Sequence, residues 1–514
     1  MNRFLPFCAA MAFALTGCQT DAPAPSSSPQ SAPSPNSAVT HIQLSDDAVL
    51  VNGQTASTLD TADVYTANDI VFYLADQGFL YGEGTQADEH PQSEADAHTV
   101  VHITQPGTYS LSGTLSQGQV AVDLGQDAQE DPNAVVTLIL DGVDLSCSVA
   151  PGVIFYNVYE CGNADAQTAS ANVDTTAAGA NVVIADGSTN TINGSYVARI
   201  YQPDSVQLNE DGTEVEDAKK LHKYDGAFYS RQSMNITGGQ AGTGVLNIHA
   251  ENEGLGTELH LTINGGTINI VSGNDGINTN EDEVSVTTVN GGSLNITVDG
   301  STGEGDGIDS NGWLVLNGGS VTASACGFSG DAGIDSDMGI HINGGTVAAS
   351  GNMLDRISDS EQNYAVFTFA QQQEGGCTYA LKNEAGDIAA EYTPSNSFTY
   401  LIFSAEALPN GTYTLWKDGQ QLAGASSGGN PRLEPPEGMT LGQPPQLPGD
   451  FARPDDPRPE FPEMPDDQPP KLPEGTRPPT GMGKYPGTQP PESLSTEFVI
   501  GQGGSYFSSV SPVE

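Results

Sequence analysis

The most regular feature of the chain is an alternation of apolar and polar residues on both sides of a repeated Asn-Gly-Gly tripeptide. In Leu261-Thr262-Ile263 before the first copy, and in Ile268-Asn269-Ile270 after it, every second residue is apolar. The intervals between copies are 26, 27 and 26 residues, and the copies begin at Asn264, Asn290, Asn317 and Asn343. Alternation with a period of two around a glycine turn predicts two strands that share one buried face.

The constant length of the repeat distinguishes between two all-β folds. A sandwich of hairpins would show the same alternation, but nothing in its construction requires a fixed unit of about 26 residues. One circuit of a parallel β-helix does require it, because three short strands must stack on the circuit below at a spacing of about 4.8 Å. We therefore expect an all-β chain built on a parallel β-helix, with the coil starting near Val100. A calcium β-roll is excluded, since its repeat is nine residues.

Proline divides the remainder of the chain. None occurs between Asp204 and Thr393, which allows unbroken strand ladders, whereas nineteen of the thirty-three prolines lie between Pro431 and Pro491. We expect the β-helix domain over residues 39–360 and a small β-rich C-terminal section over 361–425. A disordered Pro-rich insertion at 426–494 and a terminal strand within 495–514 are then expected to complete the chain.

The first residues have the features of an export signal. Arg3 is followed by an apolar stretch, and Leu15-Thr16-Gly17-Cys18 matches a lipobox. We expect a lipoprotein signal peptide at 1–18, lipidation of Cys18, and a Pro/Ser-rich tether at 19–38. The predicted location is the cell surface, with membrane contact through the lipid anchor only. An ordinary signal peptide that is cut elsewhere is the alternative.

Cysteine usage agrees with export. Without Cys8 and Cys18 the chain keeps an even number of cysteines, for which three pairings are possible. The expected disulfides are Cys147 with Cys161, which are close in sequence, and then Cys326 with Cys377. No Cys/His spacing indicates zinc.

Charge narrows the class of partner. Fifteen basic and sixty-five acidic residues give a formal net charge of −50. Such a surface repels nucleic acid and anionic membranes, and it favours cations. The alternative is an acidic exported surface without any specific cation.

A second repeat lies between the Asn-Gly-Gly copies and carries the candidate chemistry. An acid precedes glycine in four of five copies, and polar residues follow three and five positions after the acid. If Ile277, Ile308 and Ile334 point inward, strand alternation places these polar residues on the outside. Aligned at the acid, the copies supply the candidate ligands Asp225, Glu253, Asp275, Asn278, Asn280, Asp306, Asp309, Asn311, Asp335 and Asp337.

Stacked carboxylates about 5 Å apart repel each other by roughly 3 to 4 kcal/mol at an effective dielectric constant near 20. No lysine or arginine occurs between Gln232 and Asp355 to neutralise them. Calcium binds six to eight oxygens of this kind, whereas magnesium demands a tighter octahedron. We therefore expect calcium as the cofactor. The alternative, that Asp and Asn only bond backbone N–H groups in turns, is our interpretation of the Asn-Gly-Gly series.

Three longer segments carry a resemblance to a known family. The segments are Val153–Cys161, Lys220–Ser230 and Gly273–Asn280, and they resemble bacterial cell-surface carbohydrate-binding proteins over roughly residues 40–425 plus the last strand. The resemblance implies a right-handed β-helix similar to that of pectate lyases, bound calcium, and affinity for polygalacturonate and cellulose. The implied partner is an acidic polysaccharide, and the implied function is binding without established lyase activity.

Two residues outside the acidic repeat are candidates for contact with sugar. Trp313 should face outward, because Leu314 and Leu316 face inward, and an exposed ring is a platform for a sugar. Lys223 lies two residues before Asp225 and is a candidate for polysaccharide contact.

Enzyme alternatives stay open. Lys223 would be the proton acceptor of a calcium-dependent lyase, while a hydrolase would use two of the many carboxylates. A structural or adhesive surface protein is the remaining alternative. We predict no catalytic residue.

Overall fold

The computed structural model describes residues 38–209, 211–358, 360–427 and 494–513. These residues form an all-β structure, as predicted, with one α-helical turn at Gln92–Ala95 and two 3-10 turns at Gln126–Glu130 and Pro203–Ser205. Within the described ranges no helix has the length and apolar character needed to span a bilayer. The predicted signal peptide with Cys18, the tether up to residue 37 and nearly all of the predicted insertion lie outside the described residues.

One sheet of eight strands carries the acidic repeat, and we call it the first sheet. Its first pair is antiparallel and every later neighbour is parallel. In chain order its strands are Val64–Ala67, Thr99–Ile103, Gly118–Asp123, Val153–Asn157, Gly226–Ser230, Glu253–Thr257, Ile277–Thr279 and Ile308–Ser310.

A larger sheet contains two further runs of parallel strands. The first run is Thr40–Leu44, Gly107–Leu115, Val136–Cys147, Ala180–Ile184, Met234–Gly238, Leu261–Ile263, Val286–Val289, Trp313–Leu316 and Gly339–Ile342. The second run starts from the far half of Val136–Cys147 and continues with Thr189–Gly194, Val245–Ala250, Thr267–Ser272, Ser293–Val298, Ser320–Ser324 and Thr346–Gly351.

The repeat length follows from the path of the chain. From Ile277–Thr279 in the first sheet it passes through Val286–Val289 and Ser293–Val298 and returns to the first sheet at Ile308–Ser310. Each such circuit adds one strand to all three runs. The inward side chains pack into one continuous apolar core, to which Ile277 and Ile308 contribute with no exposed surface.

The Asn-Gly-Gly turns also stack, although their bonding differs from the prediction. Asn290 Nδ2 donates to Asn264 Oδ1, and Asn317 and Asn343 continue the series, each at 2.9 Å. The asparagines therefore bond mainly to each other rather than to backbone N–H groups. The last glycine of each turn has a positive φ, such as 90° at Gly266, which explains why glycine is required there.

Antiparallel strands close both ends of the stack. Leu50–Val51 pairs with Thr40–Leu44 and also with Gln54–Thr55, and at the other end Phe398–Ser404 pairs with Thr346–Gly351. The C-terminal strands are Tyr364–Gln373, Tyr379–Asn383, Ile388–Tyr392, Phe398–Ser404, Gly411–Lys417, Gln420–Ser427, Phe498–Ile500 and Gly504–Pro512, and a separate small pair is Gln207–Leu208 with Val215–Asp217.

The C-terminal strands have an aromatic core of their own, which includes Phe367 and Phe403. Strands Gln420–Ser427 and Gly504–Pro512 pair with each other. The chain therefore leaves and re-enters the same sheet around residues 428–493.

The predicted disulfides are wrong in this structure. Cys147, Cys161, Cys326 and Cys377 are all free thiols. Cys326 packs in the core of the parallel runs, whereas Cys377 packs against the C-terminal aromatic core, so the two lie in different clusters. Cys147 belongs to a third cluster on the outer side of the first sheet, while Gly162, next to Cys161, approaches Leu259 and His260. Proximity in sequence therefore did not bring the thiols together.

Candidate functional site

The acidic repeat lies along the start of the later strands of the first sheet. Leu255 pairs with Ile277, and Ile277 pairs with Ile308, so Glu253, Asp275 and Asp306 stand in line two residues earlier. Asn278 pairs with Asp309, and the Asp335 amide bonds to the Ile308 carbonyl in the next circuit. We call the six side chains Glu253, Asp275, Asn278, Asp306, Asp309 and Asp335 the acid ladder.

Asp225 does not stand in the predicted position. Gly226 pairs with Glu253, so the alignment of Asp225 with Glu253 is wrong by one residue. The Asp225 carboxylate accepts a hydrogen bond from the Arg199 guanidinium at 3.2 Å. Burial raises the pKa of Asp225 and the Arg199 charge opposes that rise. Asp225 therefore has a cationic partner already, whereas no carboxylate of the acid ladder forms an ion pair within the described ranges.

Glycine follows each acid because a side chain does not fit there. A Cβ at Gly254 would lie 2.4 Å from Ile270 Cγ2, and one at Gly276 would lie 2.2 Å from Ile296 Cγ2. Both isoleucines belong to the core. The glycines face inward, and so do Leu255 and Ile277 directly after them, so strict alternation is interrupted here. The acid before each glycine lies on the outward face. Close packing of the first sheet against these core isoleucines, rather than turn geometry, explains the repeated acid-glycine pair.

Hydrogen bonds tie the acid ladder from one circuit to the next. The Asp306 amide donates to Asp275 Oδ1 at 2.7 Å, and the Ala332 amide donates to Asp306 Oδ1 at 2.5 Å. Asn278 Nδ2 donates to Glu253 Oε1 at 2.9 Å. The carboxylates are thus held in fixed positions by the backbone and by one amide.

The outward face is nevertheless shielded from water at three ladder positions, while Asp306, Asp309 and Asp335 are half-buried. Glu253 is 6% exposed, Asn278 is 8% exposed and Asp275 is 9% exposed. Tyr229, which is fully buried, lies beside Gly256 on the neighbouring position of the same face. Polar side chains on a solvated sheet would be hydrated, so this burial has electrostatic consequences.

Burial is the main cause of raised pKa values along the acid ladder. It raises the pKa of Asp275 to about 7 and that of Asp306 to about 9, and for Asp306 the nearby Asp335 and Asp275 charges add to the rise. Burial also raises the pKa of Asp309 and of Asp335 to about 7. The pKa of Glu253 is raised well above its ordinary value by burial and then by the Asp225 charge.

Several ladder oxygens lack a partner within the described part of the chain. Glu253 Oε2, Asn278 Oδ1 and Asp335 Oδ1 are buried and accept no hydrogen bond. A buried oxygen without a partner costs about 1 to 3 kcal/mol, and more when it is charged. Protons on the carboxyls or a hard cation would relieve this cost.

The carboxylate and amide oxygens of the acid ladder are suitable ligands for such a cation. No three His, Cys, Asp or Glu side chains among the described residues form a ready-made metal cluster. A cation at the acid ladder would therefore draw on amide oxygens such as Asn278 Oδ1 together with carboxylates. Mixed carboxylate and amide oxygens of this type are ligands that calcium accepts.

The remaining candidate ligands lie to one side of the acid ladder. Asn280 Nδ2 donates to the Tyr229 hydroxyl at 3.3 Å, and Asn311 Nδ2 donates to the Asn280 carbonyl at 3.2 Å and to Asp282 at 3.0 Å. These amides link successive circuits. Asp337 is exposed as a whole, but its carboxyl group is partly removed from water, and this is the main cause of its raised pKa.

The two candidates for sugar contact occupy different places. Trp313 begins a strand, pairs with Val286 and Gly339 as the repeat predicts, and is half-buried. Lys223 is half-buried in the segment that precedes Gly226–Ser230, and it lines a pocket with Arg231 and Glu258.

Comparison with known proteins identifies the family. Residues 97–360, just over half of the chain, match the family model described as "Carbohydrate-binding domain-containing protein". The chain belongs to this family. The matched range contains the whole acid ladder and ends close to where the regular circuits end.

Two individual proteins are similar to this member of the family. A carbohydrate-binding domain-containing protein of Acetivibrio thermocellus is 28% identical over 171 residues, which cover 33% of this chain and 44% of the relative. The alignment thus spans less than half of that relative. A solved structure described as a polysaccharide lyase-like protein from C. thermocellum, a gadolinium derivative, has 19% identity and a TM-score of 0.32, covering 63% of this chain and 98% of the other. That TM-score is too low to establish a shared fold.

Sequence reasoning missed the residues that surround the ladder. Tyr229 and Glu258 join through a hydrogen bond of 2.5 Å, and His222 is 9% exposed with no hydrogen bond to either ring nitrogen. Tyr229 and His222 lie in the Lys220–Ser230 segment, which carried the family resemblance. Their spacing follows no repeat, so only the folded chain reveals their proximity.

Proposed function

We propose that this protein binds an acidic polysaccharide of the polygalacturonate type, and cellulose, at the bacterial cell surface without cleaving it. The observation that carries the proposal is the acid ladder, whose carboxyl groups have raised pKa values and form no ion pair among the described residues. Membership of a carbohydrate-binding family supports a sugar polymer as the ligand. The parallel pairing of successive circuits supports a right-handed parallel β-helix as the scaffold.

Calcium resolves a conflict within this proposal. A surface with a formal charge of −50 repels a polyanion. Asp275, Asp306 and Asp309 with Asn278 would hold the ion, and its remaining coordination positions would accept sugar carboxylates. Trp313, which is half-buried, would add contact with a ring face.

Pull-down on insoluble polygalacturonate tests the proposal. Retention should require calcium and disappear in chelator, and no absorbance from unsaturated products should develop. The double variant Asp275→Asn, Asp306→Asn should lose retention, while Asp387→Asn, at an exposed turn, should keep it. Retention in chelator would rule out the calcium bridge, and unsaturated products would identify a lyase instead.

The proposed location has a separate test. Lipidation of Cys18 should place the exported protein in the membrane fraction, and Cys18→Ser should release it to the soluble exported fraction. Membrane association that survives this substitution would contradict the anchor.

A further inference from the structure

A pocket of about 330 Å³ lies beside the acid ladder, outside the proposed calcium site. It is lined by Gln129, Glu160, Lys220, Leu221, His222, Lys223, Arg231, Gln232 and Glu258. The volume is at the lower end of the range for small-molecule sites. It therefore suits one small ligand, or one unit of a polymer, rather than a folded partner.

Positive charge is concentrated in this pocket. Three of the fifteen basic residues of the chain line it, although the chain as a whole is strongly acidic. Lys220 is neutralised by an ion pair with Glu83 and lies over the Tyr201 ring. In the described ranges no carboxylate lies within ion-pair distance of Lys223 or Arg231. Burial raises the pKa of Glu258 and these two charges oppose that rise from a longer distance, so both cations can still contact an anionic ligand directly.

His222 provides an independent sign of a ligand. Its ring stacks on Tyr224 at a centroid distance of 4.3 Å, and neither buried ring nitrogen has a hydrogen-bond partner among the residues that the structure describes. A neutral imidazole carries one donor and one acceptor. Leaving both unsatisfied in a buried ring is costly. A hydroxyl group both donates and accepts, so hydroxyls of a sugar would satisfy the ring.

Two carboxylates in the pocket are held in place and distinguish among anions. Glu160 accepts hydrogen bonds from the amide and the hydroxyl of Ser233, both at 2.7 Å, and Glu258 accepts one from the Tyr229 hydroxyl. A compact anion such as phosphate would be repelled by these groups. A ligand with one carboxylate and several hydroxyls presents its negative charge to the cations and its donors to the carboxylates.

We propose that this pocket binds one uronic acid residue without a metal ion. Its carboxylate contacts Lys223 and Arg231, for which the planar guanidinium is the stronger partner, and its hydroxyls contact His222 and Glu258. The identity of the ligand rests on the proposed function, but its binding does not depend on calcium.

The position of the pocket connects it to the acid ladder. The Tyr229 hydroxyl donates to Glu258 and accepts from Asn280 Nδ2, and Asn280 is two residues beyond Asn278 of the ladder. A polymer that crosses the circuits therefore meets the calcium-bearing ladder and the pocket in succession. The pocket then fixes the position of one residue of the bound polymer.

Titration of the full chain with galacturonate in the presence of chelator tests the pocket. Calorimetry should detect binding of galacturonate, and neither galactose nor acetate should bind comparably. Lys223→Gln or Arg231→Gln should weaken binding by roughly tenfold or more, since each removes a charged hydrogen bond. Lys382→Gln is the matched control, because Lys382 lies over Trp416 in the C-terminal section.

Ring signals of His222 in NMR spectra provide a second readout that a change in folding alone would not reproduce. They should shift on addition of galacturonate in the native protein and in Lys382→Gln. Equal binding of galactose or acetate, or unchanged affinity in both pocket variants, would overturn the proposal. Loss of calcium-dependent retention on the polymer with intact galacturonate binding would instead contradict only the ladder mechanism.

Discussion

Gly276 immediately precedes strand Ile277–Thr279 of the first sheet. Because it has no side chain, the first sheet can pack closely against strand Ser293–Val298 of the larger sheet. A Cβ there would lie 2.2 Å from Ile296 Cγ2 and 2.5 Å from the Gly307 carbonyl oxygen. The carbonyl belongs to the next circuit and cannot rotate away. A methyl group at this point must therefore push the two sheets apart or displace the strand that follows Gly276.

Gly276→Ala should lower the free energy of unfolding by about 1 to 3 kcal/mol, as overpacking in cores does. Thermal unfolding followed by circular dichroism measures the change. Gly330→Ala is the matched control, because a Cβ at Gly330 meets nothing within 4 Å. Equal midpoints of thermal unfolding for the two variants would show that the two sheets separate at little cost in free energy.

Asp306 illustrates a conflict between stability and binding at a single side chain. Burial of its carboxyl raises its pKa to about 9, so at neutral pH the group is kept protonated or its charge destabilises the fold. Asn at position 306 preserves the shape of the side chain, and its Oδ1 can still accept the hydrogen bond from the Ala332 amide. It removes the charge that a cation would use.

Asp306→Asn should raise the thermal midpoint of chelated protein at pH 8 and reduce the increase produced by calcium. A ligand that binds only the native state stabilises a protein by an amount that rises with the logarithm of the ligand concentration divided by Kd. The exposed Asp387→Asn variant should match the native protein in both measurements. A lower midpoint in chelator with an unchanged response to calcium would contradict this role.

At the scale of elements, the acid ladder makes the stability of the first sheet depend on pH. Carboxyls such as Asp275, with a pKa raised to about 7, hold protons more tightly in the folded than in the unfolded chain. Their contribution to stability is present below the unfolded value of about 3.9 and is lost as pH rises through the folded value. In this window each extra proton held by the folded state gives a slope of about 1.4 kcal/mol per pH unit.

The thermal midpoint of chelated protein should therefore fall between about pH 4 and pH 9, the range set by the unfolded value and by Asp306. Saturating calcium should diminish the fall, because the ion favours the deprotonated ladder. Scanning calorimetry across this range, with and without calcium, measures both curves. A midpoint that rises with pH in chelator would contradict the sign.

The circuits could be predicted from the sequence because one period of 26 or 27 residues controls both the turns and the strands. The outward direction of Asp309 follows from the same pattern, because it comes directly after the inward Ile308. Asp275 and Asp306 lie two residues before inward isoleucines, so alternation alone does not predict that they face outward. The displacement of Asp225 by one residue could not be predicted, since the Asp-Gly pair looks the same in every copy. The burial of Glu253 also escaped prediction, because Tyr229, which lies beside the same Gly256, comes from an earlier circuit and follows no repeat.

At the scale of the whole molecule, packing rather than covalent linkage holds the sections together. The four described cysteines are free, and Cys326 and Cys377 lie in separate apolar clusters. Export favours disulfides in general, but geometry decides whether a pair can form.

A reducing agent should therefore leave the thermal midpoint unchanged, and thiol titration in denaturant without reductant should detect these four cysteines. Mass spectrometry after alkylation provides the assignment to each position. A midpoint that falls on reduction, together with a peptide that joins Cys147 to Cys161, would restore the predicted linkage.

The antiparallel strands at the two ends of the stack also cover strand edges that could otherwise pair with another copy. Without Phe398–Ser404, the last strand Thr346–Gly351 would offer an open row of backbone donors and acceptors to another copy. A chain shortened after residue 360 should therefore pair with a second copy through this open edge and form dimers, because Leu50–Val51 still covers the first end. Analytical ultracentrifugation measures the change, and Ala348→Lys, on the face that the C-terminal strands cover, should weaken the dimer. The C-terminal section thus protects one end of the stack from contact with another molecule.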